Sequence, residues 1–259
     1  MRPSTSAGPR RTIVWSLRIL FVVVVFGGWI LANATGSISP IILPQLGAVL
    51  SESIELLRES EVWAAAGITV FEMIAGFGIA AVAGLLVGFV LSRKPLRSAI
   101  FEKLLAWGYI FPISLVYPLF LIWAGVGLPS KILFAAASAF FPIAYNTMKG
   151  LSAVPVRYLK VGQAFGASAQ ATDWHIRAGA SRPMILSGLR LGVSMATVSV
   201  VLAEMLGANA GLGFMAQQAS SQFQIPKAYA VVLILVVITS LLLWLMETLL
   251  RDPNEKLKK

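Results

Sequence analysis

The chain has 259 residues, of which 58% are hydrophobic and only 12% charged, with a mean hydropathy of +0.82. A water-soluble domain of this size needs far more charge on its exterior, so that class is excluded. Disulfide, thiolate-metal and cysteine-nucleophile chemistry are excluded by the absence of cysteine, and one histidine, His175, leaves little for metal or acid–base catalysis.

Apolar runs long enough to cross a bilayer, about twenty residues each, fall at 13–32, 62–91, 104–125, 132–148, 184–206 and 228–250. The first follows a basic stretch and could be read as a cleaved signal; its apolar core is too long for one, so a retained anchor is expected. The second exceeds a single span, and its first turns, 62–69, are expected to lie along the interface. In the third, Pro112 and Pro118 interrupt the helix and predict a bend. Ala80, Gly84 and Gly88 in the second form a small-residue surface for close helix packing.

The formal net charge of +10 is unevenly spread, and its distribution speaks of membrane sidedness rather than nucleic acid. Basic residues crowd the N-terminus (Arg2, Arg10, Arg11, Arg18), the link after the second span (Arg93, Lys94, Arg97, Lys103), the link after the fourth and the C-terminal tail. The alternate loops hold only Arg58, Lys131 and Lys227, and the first of them is acidic (Glu52, Glu55, Glu59, Glu61). The positive-inside rule then predicts six transmembrane helices with both termini cytoplasmic, in an all-α membrane protein forming a single transmembrane domain over 1–259.

Between the fourth and fifth spans lies a cytoplasmic link over 149–183, long for so compact a protein. Residues 158–176 carry small and apolar side chains at helical spacing and no proline, which predicts one or two short helices against the membrane face; a plain solvated linker is the alternative. Gly166-Ala167-Ser168 is expected to be the turn between them, Gly166 supplying a positive φ and Ser168 a helix cap.

Ionisable residues within spans are costly unless paired or facing water. Glu204 is therefore read in two ways: as a carboxylate facing a solute pathway, or as one hydrogen-bonded to the adjacent glycine-rich loop. Glu72 has the same two readings, Asn146 is expected to hydrogen-bond between helices, and no lysine or arginine is expected in the central helices. Trp63 and Trp244 read as interfacial anchors, and His175 as an exposed contact. There is no Gly-x-x-x-x-Gly-Lys-Ser/Thr phosphate loop, so any ATP must be bound elsewhere.

Gly166-Ala167-Ser168, then Ile176, Pro183 and the run from Ile185 to Leu191, resemble the EAA-loop signature of binding-protein-dependent ABC importer permeases. The run from Tyr117 to Gly127, Phe140 to Ile143 with Asn146 and Thr147, Ala203 to Gly207, and Gly211-Leu212-Gly213 are similar to the nitrate/sulfonate/taurine branch. There are departures: Lys160-Val161-Gly162 stands where the family has Glu-Ala-Ala, Ala178-Gly179 replaces Leu-Pro, and Glu72 occupies a place usually basic.

The resemblance implies the type I ABC importer permease fold, with cytoplasmic coupling helices, in a bacterial inner membrane. Lys160, Gln163, Ala164, Gly166, Ala167, Ser168, Ile176 and Pro183 would meet the ATPase, and Tyr117, Pro118, Asn146 and Glu204 are candidates for the pathway. The partners implied are two ABC ATPase subunits, which use ATP and Mg, a second permease subunit (identical or not), an external substrate-binding protein and the lipid bilayer. The chain itself would bind no cofactor or metal and be a transport subunit, not an enzyme. The substrate expected is a small anion such as a sulfonate, taurine or nitrate. Rival readings are a gradient-driven secondary transporter and an ABC permease for a vitamin precursor.

Overall fold

In the computed structural model, which describes residues 8–250, every regular element is helical. In chain order these are α1 (Gly8–Ala34), α2 (Leu46–Leu56), α3 (Ser60–Ser92), α4 (Pro95–Ile110), a 3₁₀ turn (Ile113–Val116), α5 (Tyr117–Ala124) and α6 (Leu128–Ser152). After them come α7 (Val156–Ala164), α8 (Ala169–Ala171), a π-helical turn (Thr172–Arg177), α9 (Ala178–Gly207), α10 (Leu212–Ser221) and α11 (Ile225–Leu249). Among the described residues five helical segments are long and apolar enough to span a membrane, and there are six if α4 and the stretch Ile113–Ala124, bent by 77° to each other, count as one span.

Proline sets many of these boundaries. Helices α4, α5, α6 and α11 each carry one in their first two positions, where the missing N–H costs nothing. Pro112 has the opposite effect: it holds Phe111 at ψ 131, outside the helical region, and so breaks the third span. Pro118, by contrast, begins a helix and does not interrupt one.

The bundle is organised on α3, α6 and α9. Gly76, Ala80, Gly84 and Gly88 recur every four residues down one face of α3, all buried, and this face lies directly on α6. A Cβ at Gly84 would come within 2.8 Å of Ile143, and one at Gly88 within 2.6 Å of Thr147. On its other side Ile143 packs against Gly192 of α9, so α6 is gripped between two glycine-bearing helices. In lipid, where apolar burial drives nothing, such close van der Waals contact holds helices together. A second core joins α2, the start of α3, α10 and α11 through Leu56, Val62, Leu212 and Val231.

Helix α1 stands outside this packing. Its described side chains are mostly exposed, as suits a lipid-facing helix, and Trp29 attaches it by donating to the Pro44 carbonyl (2.9 Å) and meeting Tyr229 edge-on.

Four expectations change. Residues 62–69 do not form a separate interfacial segment: α3 is one helix of 33 residues, and Thr69 is fully buried in it. The fourth span begins earlier than residue 132, so Lys131 is buried in the first turn of α6 and does not belong to a loop. The link between the fourth and fifth spans is shorter than 149–183, because α6 runs to Ser152 and, after α7, the continuous helical segment of the fifth span is under way by Thr172, leaving Pro183 inside α9. Asn146 bonds within its own helix, Nδ2 donating to the Pro142 carbonyl at 2.8 Å, instead of between helices.

Candidate functional site

Two regions at opposite ends of the bundle gather the polar chemistry. The first is the link after α6. Helix α7 ends in a left-handed cap: Gly166 has φ 74, and the Ala167 N–H reaches back to the Gly162 carbonyl (3.0 Å). Ser168 then starts the next helical run, its Oγ accepting from the Ala171 N–H at 3.2 Å and its carbonyl from the Thr172 N–H at 2.9 Å. The turn and cap expected from Gly166-Ala167-Ser168 are both present.

Helix α7 is held by one face and free on the other. Gly162 is buried against Ile176 of the π-helical turn so closely that a Cβ would collide with it. Any larger residue at 162 would make the end of the Ile176 side chain move aside. Arg157, Tyr158, Lys160, Val161 and Ala164 are exposed, and Phe165 is 88% exposed at the tip. This open face is apolar in its centre and basic beside it. The backbone of Gln163 belongs to α7, and its side chain lies outside the described residues. Ala167 and Ile176 are half-buried, and Pro183 lies exposed two turns further along.

At the opposite end lies a buried charged cluster. Glu72 on α3 is ion-paired with Lys131 on α6, and both are almost wholly buried. The Lys131 ammonium also donates to the Ala210 carbonyl at 3.1 Å. Glu204 on α9 is 1% exposed: Oε1 accepts from the Thr69 hydroxyl (2.7 Å) and Oε2 from the Gly213 N–H (2.8 Å). Thr69 Oγ1 in turn accepts from the Leu212 N–H at 2.9 Å. Thr69 and Glu204 thus satisfy the first amides of α10 and set a negative charge at its positive dipole end. Gly211, at φ 110, and Gly213 lie so close to the carboxylate that a side chain on either would collide with it. Gly211-Leu212-Gly213 is required by that fit.

Of the two readings of Glu204, this geometry matches the hydrogen bond to the glycine-rich loop. Tyr117 is also enclosed, its ring 4.9 Å from that of Phe134 and its hydroxyl without a hydrogen-bond partner among the described residues. Pro118 is exposed and Asn146 half-buried toward the other end of α6. The structure does not bring these four pathway candidates together around an open cavity. It also overturns the expectation that central helices lack a basic residue, since Lys131 is one, with its charge spent on Glu72.

Sequence reasoning missed Lys131 and Thr69 as partners, and took Arg93, like the basic residues after the fourth span, among them Arg177, only as a sidedness signal. Asp173 and Arg177 stand four apart on a helix, a spacing at which opposite charges pair. An unpaired Glu72 in a span also calls for a nearby cation.

A helical bundle of five or six candidate spans defines a polytopic membrane protein. The chain belongs to the family described as "Binding-protein-dependent transport system inner membrane component", whose model matches residues 80–253. It is 27% identical over 237 residues to the putative aliphatic sulfonates transport permease protein SsuC of Bacillus subtilis, covering 90% of this chain and 84% of that protein. It is also 27% identical over 210 residues to the taurine transport system permease protein TauC of Escherichia coli, covering 79% and 76%. Among solved structures, a chain of the MetNI methionine ABC transporter in an inward-facing conformation matches with a TM-score of 0.57 at 17% identity, covering 74% of this chain and 93% of that one. The chain is accordingly an ABC importer permease, a multi-pass inner-membrane protein with the type I importer fold.

Proposed function

We propose that this permease carries a small anion, a sulfonate or taurine, across the membrane, driven by two ATPase subunits that grip α7 and the turn at Gly166 from the cytoplasm. The observation that carries the coupling is the half-docked state of α7: Gly162 anchors it to Ile176 while Phe165, Val161 and Lys160 face outward. An apolar knob with positive charge beside it fits an apolar socket with acidic neighbours. Lys160, Ala164, Gly166, Ala167 and Ser168 lie in or beside that surface. Both termini then lie on the cytoplasmic side, and a substrate-binding protein delivers solute to the far face, where α10 caps the bundle.

A second permease subunit completes the pathway, in which Pro118, exposed on α5, is the best placed of the four candidates. One relative named for aliphatic sulfonate transport and one named for taurine transport support the substrate class. ATP and Mg act in the ATPase subunits.

The test is purification of the chain from its native membrane, followed by reconstitution with the ATPase that accompanies it and its binding protein. Expected is ATP-dependent uptake of taurine or an alkanesulfonate. Uptake that follows a proton or sodium gradient without an ATPase would overturn the coupling, and preferential uptake of an uncharged vitamin precursor would overturn the substrate class.

A further inference from the structure

At the cytoplasmic end, one side chain joins three elements. Arg177, the last residue of the π-helical turn, is largely buried, its side chain 13% exposed. Its Nη2 donates to the Ser92 carbonyl at 3.0 Å and to the Leu151 carbonyl at 3.2 Å, and its Nη1 donates to Asp173 Oδ1 at 3.0 Å. Ser92 is the last residue of α3, and Leu151 lies in the last turn of α6. Carbonyls there have no partner within their own helix and carry the negative end of its dipole. A guanidinium bonds two of them and a carboxylate at once because its donors form a fixed planar fork; an ammonium cannot reproduce that geometry.

Asp173 extends the junction. Its Oδ2 accepts from Arg93 at 3.2 Å, and Arg93 lies over the Phe89 ring (4.8 Å), which stacks with Trp174 at 5.9 Å. The same π-helical turn carries Ile176, against which Gly162 of α7 is packed. Helix α7 is thus joined to the ends of α3 and α6 by a continuous series of contacts. The covalent link between α6 and α7 is by comparison only residues 153–155, with no regular structure. π-Turns of this kind occur frequently at functional positions.

We infer that Arg177, oriented by Asp173, is the positioning residue of a rigid joint that makes α7 and the cytoplasmic ends of α3 and α6 move as one body. Displacement of α7 then reaches the two helices whose small-residue seam organises the bundle, instead of being lost in the short link. This inference rests on the coupling proposed above for its use, and on the contacts of this chain alone for its existence.

The experiment has two arms. The chain has no cysteine, so spin labels at Ala164→Cys and Lys94→Cys, both exposed positions, report the distance from α7 to the end of α3 in lipid nanodiscs without other subunits. A single narrow distribution is expected in the parent chain and a broadened one in Arg177→Gln, with Arg177→Lys between them. In the reconstituted transporter, Arg177→Gln is expected to keep the ATPase bound and basal hydrolysis within about twofold, while uptake per ATP falls about tenfold, the scale of one or two lost charge-assisted hydrogen bonds.

Asp173→Asn, which keeps the bonds to Ser92 and Leu151, is expected to give a smaller loss and guards against misfolding of the Arg177 variants. Distance distributions unchanged in every variant would overturn the joint. So would uptake and hydrolysis falling in equal proportion, which marks a merely structural role. If no ATPase accompanies the parent chain, the functional reading fails, and the joint stands or falls on the label distances.

Discussion

Lys131 lies near the start of a span and is almost wholly buried, ion-paired with Glu72 and donating a hydrogen bond to the Ala210 carbonyl. Removing one member of such a pair leaves the other charged and enclosed. Lys131→Met is therefore expected to destabilise the protein by about 3–5 kcal/mol, read as a lowered thermal unfolding midpoint in detergent. The double variant Glu72→Met with Lys131→Met should recover most of that loss, and a double variant no better than the single one would refute the pairing. From the sequence, Glu72 and Glu204 could be recognised as costly in a span. Their partners could not, since Lys131 and Thr69 sit on other helices and nothing local announces which faces meet.

At the scale of elements, the seam between α3 and α6 depends on side chains that are absent. Gly84→Leu would drive a branched side chain into Ile143 and the Ala144 backbone, and overpacking of this kind costs about 1–3 kcal/mol or more. The expected outcome is a chain that inserts but is digested faster by protease in detergent, with Gly84→Ala intermediate. The turn at Gly166 behaves differently. Nothing lies within 4 Å of a Cβ there, so only its φ of 74 restricts the residue. Gly166→Val should weaken co-purification of the ATPase and leave insertion intact, whereas Gly166→Asn, which tolerates the left-handed region, should retain it. Equal retention by both would count against a strained turn at the docking surface.

The small-residue stripe and the Gly166 turn were legible because both are local patterns. The bend at Pro112 was legible for the same reason. The extent of the fourth and fifth spans was not, because polar Ser130, Lys131 and Ser181 are buried within helices that hydropathy alone would have ended.

For the molecule as a whole, the proposed orientation is open to direct test. Single cysteines at Ala164, on α7, and at Gln222, just beyond α10, are both exposed and lie at opposite ends of the bundle. An impermeant maleimide should reach Gln222→Cys from outside intact cells, and Ala164→Cys only after the membrane is opened. Labelling of both from one side would contradict the topology. The amino-acid sequence by itself determined that the chain spans a membrane about six times and carries a capped turn between its fourth and fifth spans. Lipid leaves the backbone no alternative to the helix, and glycine, proline and serine act on their immediate neighbours. Only the tertiary structure decided that Glu72 neutralises Lys131, that Glu204 caps α10, and that Arg177 ties the turn to α3 and α6. Those contacts join residues far apart in the chain, and they exist only once the packing of small residues has brought the helices together.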